Sequence, residues 1–286
     1  MAVYKRSYKG YEGPLTSRRK RFLILSRYAA RGIFASRIVT GLFILSFFYP
    51  LAMIIGLYLN HNLSVLSFMK LHQDHLFDVN GSFFMVFMTV QSAGAFLLTA
   101  FFGPNLIAPD LANNALPLYF CRPLSRTEYV TGKASVILML LSIITWVPGL
   151  LIFGVEASLS GGAWAWEHRQ FAEGILLGSL LWISFLALLA LALSAWVRWK
   201  LVAGALLLGV NFVTSGFAAA LNATMDVTWG SYLDPAKLMT AIYGKFFGMD
   251  LSLGVNTWGA LASYGVICAF CTYLLSRKVR AFEVVR

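Results

Sequence analysis

Six apolar runs of about 20 residues or more divide the chain: Ile38–Leu59, Phe83–Ala108, Ala134–Val155, Phe171–Val197, Leu201–Ala223 and Val255–Leu275. A helix of about 20 residues crosses the hydrocarbon core of a bilayer, so each run is long enough for one crossing. Apart from Glu173 at the start of the fourth, no run carries Asp, Glu, Lys or Arg. The fourth and fifth are separated only by Arg198, Trp199 and Lys200, which predicts a tight hairpin. Ahead of the first run, Phe22, Leu25, Ala29 and Ile33 fall on one helical face, and Lys20, Arg27 and Arg31 on the opposite one. That spacing predicts an amphipathic helix lying on the cytoplasmic leaflet. It serves either as a lipid-surface anchor or as a basic face that docks a cytoplasmic partner.

The expected fold is therefore an all-α polytopic membrane protein with six transmembrane helices, an N-terminal interfacial helix and both termini cytoplasmic. Residues 1–37 form the tail and interfacial helix, and residues 38–276 the transmembrane domain. Within that domain lie a cytoplasmic loop at 109–133 and an outside loop at 224–254, and residues 277–286 close the chain as a second tail. The first apolar run starts too far into the chain, and is too long, for the apolar region of a signal peptide, so it is expected to remain as a span.

Composition strengthens this class. The chain is 59% hydrophobic and 12% charged, with a mean hydropathy of +0.72, whereas soluble domains carry about 25% charged residues. The net charge of +11 matters through its placement. With both termini inside, 19 of the 23 Lys and Arg fall on the cytoplasmic side, and 8 of the 12 acids fall outside. That is the positive-inside bias. The basic clusters flank spans, with no reading helix and no aromatic stacking face, so nucleic acid is not an expected partner.

The sequence offers little material for catalysis. His61, His72, His75 and His168 all fall in expected outside loops, which removes the intramembrane histidine of a membrane protease or proton relay. His72, Asp74, His75 and Asp78 read as a hydrated loop rather than a metal site, since no regular element organises them. Cys268 and Cys271 read as small packing residues within a span, and Cys121 as a reduced thiol in a basic loop. The one Gly-Lys near a hydroxyl, Gly132-Lys133-Ala134-Ser135, has Thr127 where a phosphate loop needs glycine. No enzyme activity, bound cofactor or metal is expected of this chain itself.

The polar residues inside the runs are few: Gln91, Ser92, Asn105, Asn211, Thr214, Ser215 and Asn222. Such groups either bridge helices or face a cavity. Gln91, Ser92, Asn211, Thr214 and Ser215 are the cavity candidates, with helix bridging an equal alternative. Ala205 with Gly209, and Gly216 with Ala220, are small pairs that make the fifth run a candidate packing or dimer face.

The most informative stretch is Pro109–Lys133. It places Leu116, Leu118, Tyr119, Phe120 and Tyr129 in a loop, stiffens it with Pro117 and Pro123, and starts a new helix with Ser125 and Glu128 as a capping box. A rigid, partly apolar loop beside the membrane suits a docking surface, although a turn that merely hugs the headgroups would also fit. The run GPNLIAPDLANNALPLYFCRPLSRTEYVTGK (Gly103–Lys133) resembles the signature region of ABC exporter permeases of the second type. The matching elements are Pro109-Asp110-Leu111, the Asn-Ala-Leu-Pro-Leu-Tyr run, Arg122 to Arg126, and Tyr129 with Gly132-Lys133. The ending Lys278–Val285 is similar to that family's ending, and the six-span plan agrees over essentially the whole chain.

The resemblance implies a half-transporter in a bacterial or archaeal inner membrane. Two permease chains, a homodimer, would pair with two cytoplasmic ATP-binding subunits, and ATP and Mg would be bound there. The coupling residues it implies are Asn113, Asn114, Leu116, Tyr119, Arg122, Arg126 and Glu128, with Lys20, Arg27 and Arg31 as supporting contacts. The segment Tyr232–Asp250 matches the position of that family's extracellular gate helices. Spans without fixed charge favour an apolar or amphipathic cargo such as a lipid, peptide or drug-like molecule. A non-transporting membrane scaffold or regulatory subunit explains the apolar spans equally well. A lipid-modifying enzyme would need more clustered carboxylates than Asp110 and Glu128 provide.

Overall fold

The computed structural model describes residues 21–62, 77–121, 124–197, 199–249, 251 and 254–279. After α1 (Arg21–Phe34), the first span is α2 (Arg37–Leu45) with α3 (Phe48–Asn60). The second is α4 (Gly81–Phe102), which passes through a 3-10 turn (Gly103–Asn105) into α5 (Ala108–Ala112). The short α6 (Leu116–Phe120) lies in the loop that follows. The third span is α7 (Arg126–Ile144) with α8 (Trp146–Ser160), and α9 (Gly162–Glu167) leads to the fourth, α10 (Arg169–Trp196). The fifth is α11 (Lys200–Met225). A 3-10 turn (Trp229–Leu233) and α12 (Pro235–Phe246) precede the sixth, α13 (Thr257–Lys278). Among the described residues, six helices are thus long and apolar enough to cross a membrane. They outlast the apolar runs by a few residues, because backbone hydrogen bonding continues past the first charged side chain. Lys133 and Glu156 therefore sit inside helices and are buried, which the apolar runs alone had placed outside them.

The first three spans are each broken, and each break has a proline. Proline lacks an N–H and leaves the carbonyl four residues earlier without its helical donor, which is costly where no water reaches it. Pro50 frees the Ser46 carbonyl and Pro148 frees that of Ile144. Gln91 on α4 donates from Nε2 to both, at 3.3 Å to Ser46 and 2.8 Å to Ile144. One amide therefore pins the kinks of the first and third spans to the second. In the second span, the Ser194 hydroxyl is inserted where Ala108 would otherwise bond Pro104 directly. It donates to the Pro104 carbonyl (3.0 Å) and accepts from the N–H groups of Ala108 (2.8 Å) and Ile107 (3.2 Å). A side chain set into the ladder in this way is a recognised cause of a helix bend.

The fourth span is the axis of the bundle and the most buried of the six, at 67%. Its glycines admit α12: a Cβ at Gly178 would lie 2.4 Å from the Tyr243 ring, and one at Gly174 would lie 2.5 Å from Cβ of Phe246. The chain leaving the fifth span folds back into the bundle before α12 begins. Asn222 donates to the Ser231 hydroxyl (3.0 Å), and Ser215 donates to Asp234 Oδ1 (2.8 Å). Ser215 lies ten residues before the end of α11 at Met225, or about 15 Å at 1.5 Å per residue. The turn at Asp234 thus reaches about two-fifths of the way down the fifth span, and α12 climbs back out.

Asp234 is 4% exposed. Its carboxylate accepts from the Ala236 and Lys237 N–H groups at 3.0 and 3.4 Å. The helix N-terminus supplies both donors and a favourable dipole for the buried charge, and Pro235 sits where its missing N–H costs nothing. Tyr264 on the sixth span donates to the Pro235 carbonyl (3.1 Å) and closes the turn from the other side.

Candidate functional site

The loop between the second and third spans is built around Asp110. Its Oδ2 accepts from the Tyr129 hydroxyl at 2.7 Å and pairs with Lys133 Nζ at 2.9 Å. Tyr129 is fully buried, and Tyr119 and Phe120 pack on its ring with centroids 5.5 and 6.0 Å away. Burial, with the Asp110 carboxylate nearby, raises the pKa of the Tyr119 phenol. Ser125 and Glu128 form the expected capping box, with the Ser125 hydroxyl 3.2 Å from the Glu128 N–H and the Ser125 N–H donating to Glu128 Oε2 at 2.7 Å. Both ends of the loop are thereby fixed to the same helix. Asn114, at φ 49°, turns the chain between α5 and α6, a left-handed conformation that asparagine tolerates better than most residues.

The expected coupling residues divide by exposure. Leu116 is buried and Tyr119 half-buried, while Asn113, Asn114 and Arg126 are exposed; Glu128 is engaged in the cap. Leu118, at 70% exposure, is an apolar tip among them. Arg122 and Lys20 lie outside the described residues. α1 packs on α7 through Leu25 and Phe22, against which a Cβ at Gly132 would collide or nearly so (3.2 and 3.1 Å). The Ser26 hydroxyl donates to the Gly132 carbonyl at 2.9 Å. Arg27 and Arg31 point away from that contact and are exposed.

The cavity candidates separate into two kinds. Gln91 is 3% exposed with both amide hydrogens taken by the freed carbonyls, so it bridges helices. Ser215 is taken up by Asp234 and holds the re-entrant turn. Ser92 and Asn211, by contrast, line one small cavity of about 170 Å³ between the second, fourth and fifth spans and α12. Asn211 and Thr214 line a second, of about 430 Å³, beneath the re-entrant turn, walled mainly by Phe185, Leu189, Val266 and Ile267. The Thr214 hydroxyl returns its proton to the Val210 carbonyl at 2.8 Å. Asn211 borders both spaces, so its amide is the polar group shared between them. Apolar walls with a few fixed polar atoms suit an apolar or amphipathic ligand.

Three arrangements escaped the linear pattern. Ser194 and the Asp110–Lys133 pair are two. The third lies at the opposite end of the bundle from the loop, where Ser160 donates to Glu156 Oε1 (2.7 Å) and His61 Nε2 approaches Ser160 Oγ (3.2 Å) and Glu156 Oε1 (3.6 Å). His61 thus caps the first span and ties it to the third, rather than sitting free in a loop. His72, Asp74 and His75 lie outside the described residues. Among the described residues no three His, Cys, Asp or Glu are grouped to hold a metal. Pro50 and Pro148, each inside an apolar run, leave a carbonyl without its helical donor, which is the sequence signal for a polar partner inside the spans. No protein-family model matches this chain, and no curated protein matches it.

Proposed function

We propose that this chain is the membrane subunit of an ATP-driven exporter, energised by a separate cytoplasmic ATP-binding subunit that binds ATP and Mg. The observation that carries the reading is the loop at 109–133, whose base is a largely buried Asp110–Lys133–Tyr129 cluster and whose tip exposes Asn113, Asn114 and Leu118. Such a part transmits force, because a push on the tip is resisted by a buried charge pair and not by a slack chain. The pair and Ser194 then pass it to the third and fourth spans, and the fourth borders both cavities.

The end of the bundle that carries this loop also carries Arg27, Arg31, Arg37, Lys200, Arg277 and Lys278, which supports assigning it to the cytoplasm. Under that orientation α1 lies on the inner leaflet, and α12 is a plug on the outer side of the cavities. Two permease chains would complete the pathway. The open face of the fifth span, where a Cβ at Gly209 or Gly216 would meet no neighbouring element within 4 Å, supports a second copy there. The cargo is apolar or amphipathic, and the membrane is a bacterial or archaeal inner membrane.

The test is affinity purification of the tagged chain from its native membranes in mild detergent, with mass spectrometry and an ATPase assay. Recovery of an ATP-binding subunit that is lost when Leu118 is replaced by Asp supports the reading. Recovery of the chain alone, or with partners lacking ATPase activity, transfers the assignment to a membrane scaffold.

A further inference from the structure

Between α1 and the flank of the third span runs an open groove of about 780 Å³, within the size range of small-molecule sites. Its walls are Leu23, Ala30 and Phe34 from α1, and Val136 and Met139 from α7, with Arg27 and Arg31 along one rim. The groove is not left over from loose packing. α1 is seated on α7 through Phe22 and Leu25, with Ala29 and Ile33 turned from solvent on the same face, so the groove flank is a different face of the helix. Met139 at 54%, Leu23 at 49% and Phe34 at 40% exposure leave it strongly apolar and open.

The rim fixes what can fill it. Arg27 and Arg31 are one helical turn apart, about 6 Å along the axis, and like charges at that spacing repel. Among the described residues neither guanidinium has a carboxylate partner, since the ion pairs there are His61–Glu156 and Lys133–Asp110. An occupant must therefore bring negative charge to the rim and an apolar chain to the floor. We infer that the groove binds an anionic phospholipid from the bilayer, with its phosphate held between Arg27 and Arg31 and an acyl chain laid along Val136 and Met139. Guanidinium forks match phosphate oxygens geometrically, and the arginine stems cover apolar surface while their heads stay at the headgroup level. This assigns Arg27 and Arg31 to lipid and not to a cytoplasmic subunit. It rests on the membrane-spanning fold and stands apart from the ATPase reading. The consequence is mechanical: α7 carries Lys133 and Tyr129 just beyond the groove, so a bound lipid would brace the helix that anchors the loop.

The experiment uses the purified full chain in detergent, melted with added phosphatidylglycerol, phosphatidylcholine of the same acyl chains, or inorganic phosphate. The expected result is a rise in Tm with phosphatidylglycerol that exceeds the rise with phosphatidylcholine, and no rise with inorganic phosphate. The Arg27→Gln/Arg31→Gln variant is expected to melt like the unaltered chain in phosphatidylcholine and to lose the preference for phosphatidylglycerol. Met139→Trp fills the floor with both arginines intact and is expected to lose the same preference, which keeps the test decisive if the double variant fails to fold. Equal rises with the two lipids, a preference that survives both variants, or the same rise with inorganic phosphate alone would overturn the assignment.

Discussion

Replacing Gln91 with Met tests how the kinked spans are held. The substitution keeps an unbranched side chain of similar length and removes both hydrogens that Nε2 gives to the Ser46 and Ile144 carbonyls. Burying an unsatisfied polar group costs about 1–3 kcal/mol in general. Hydrogen bonds measured within membrane proteins average about 0.6 kcal/mol, with a maximum of about 1.7. The membrane figure governs here, because the unfolded chain in the bilayer also finds partners. Two such bonds give an expected loss of about 1–3 kcal/mol. The loss is read by reversible unfolding in mixed micelles, followed by the tryptophan fluorescence of the chain's 8 Trp residues. The decisive variant adds Pro148→Ala, which restores an N–H for the Ile144 carbonyl and makes the shorter of the two Gln91 bonds redundant. In that background Gln91→Met should cost about half as much, a coupling of about 1 kcal/mol. If the two substitutions add to within about 0.3–0.5 kcal/mol, as independent sites do, Gln91 is not serving the proline kink and the reasoning fails.

Three further outcomes follow from the same geometry. Lys133→Met leaves the Asp110 carboxylate without its cation in a largely buried site and should lower stability by about 3–5 kcal/mol. Adding Asp110→Asn should recover part of that in the same unfolding assay, and no recovery would mean the pair is incidental. Gly178→Ala places a methyl 2.4 Å from the Tyr243 ring, so α12 must shift; a cysteine introduced at Tyr232 should then label faster with a water-soluble thiol reagent, and unchanged labelling would contradict the packing described. Ser194→Ala removes the hydroxyl bridging Pro104, Ile107 and Ala108, and should cost about 1–2 kcal/mol and speed amide exchange at Ile107 and Ala108 relative to the fourth span. Unchanged exchange there would place the bend's support elsewhere.

The number of helices and their approximate limits were legible because apolar length is a local property: Ile38–Leu59 and Val255–Leu275 each declare a crossing without reference to any other residue. The capping box at Ser125 and Glu128 was legible for the same reason, since it is a pattern within four positions. What Gln91 does was not, because its two acceptors lie 45 and 53 residues away on different spans, and an intramembrane amide reads alike as a bridge or as a cavity lining. Asp110 and Lys133 stand on opposite sides of the loop, and only the return of the chain at Asn114 and α6 brings them to 2.9 Å. The depth of the re-entrant turn was hidden too. Residues Val227 to Phe246 contain no apolar run of crossing length, so their burial comes from glycines on a neighbouring span and from Ser215. Of the candidate cavity residues, Ser92, Asn211 and Thr214 line space, while Gln91 and Ser215 hold helices together, a division that depends on contacts and not on residue type.

The central claim, that the exposed loop tip meets an ATP-binding subunit, is tested most directly by a photo-crosslinking amino acid at Leu118, activated in native membranes before any detergent is added. The account predicts a crosslink to a nucleotide-binding protein, identified by mass spectrometry, whose yield changes when ATP is depleted, with no such product from the same probe at Trp229 on the opposite end. Crosslinks from Leu118 to lipid alone, or to proteins that bind no nucleotide, would contradict it.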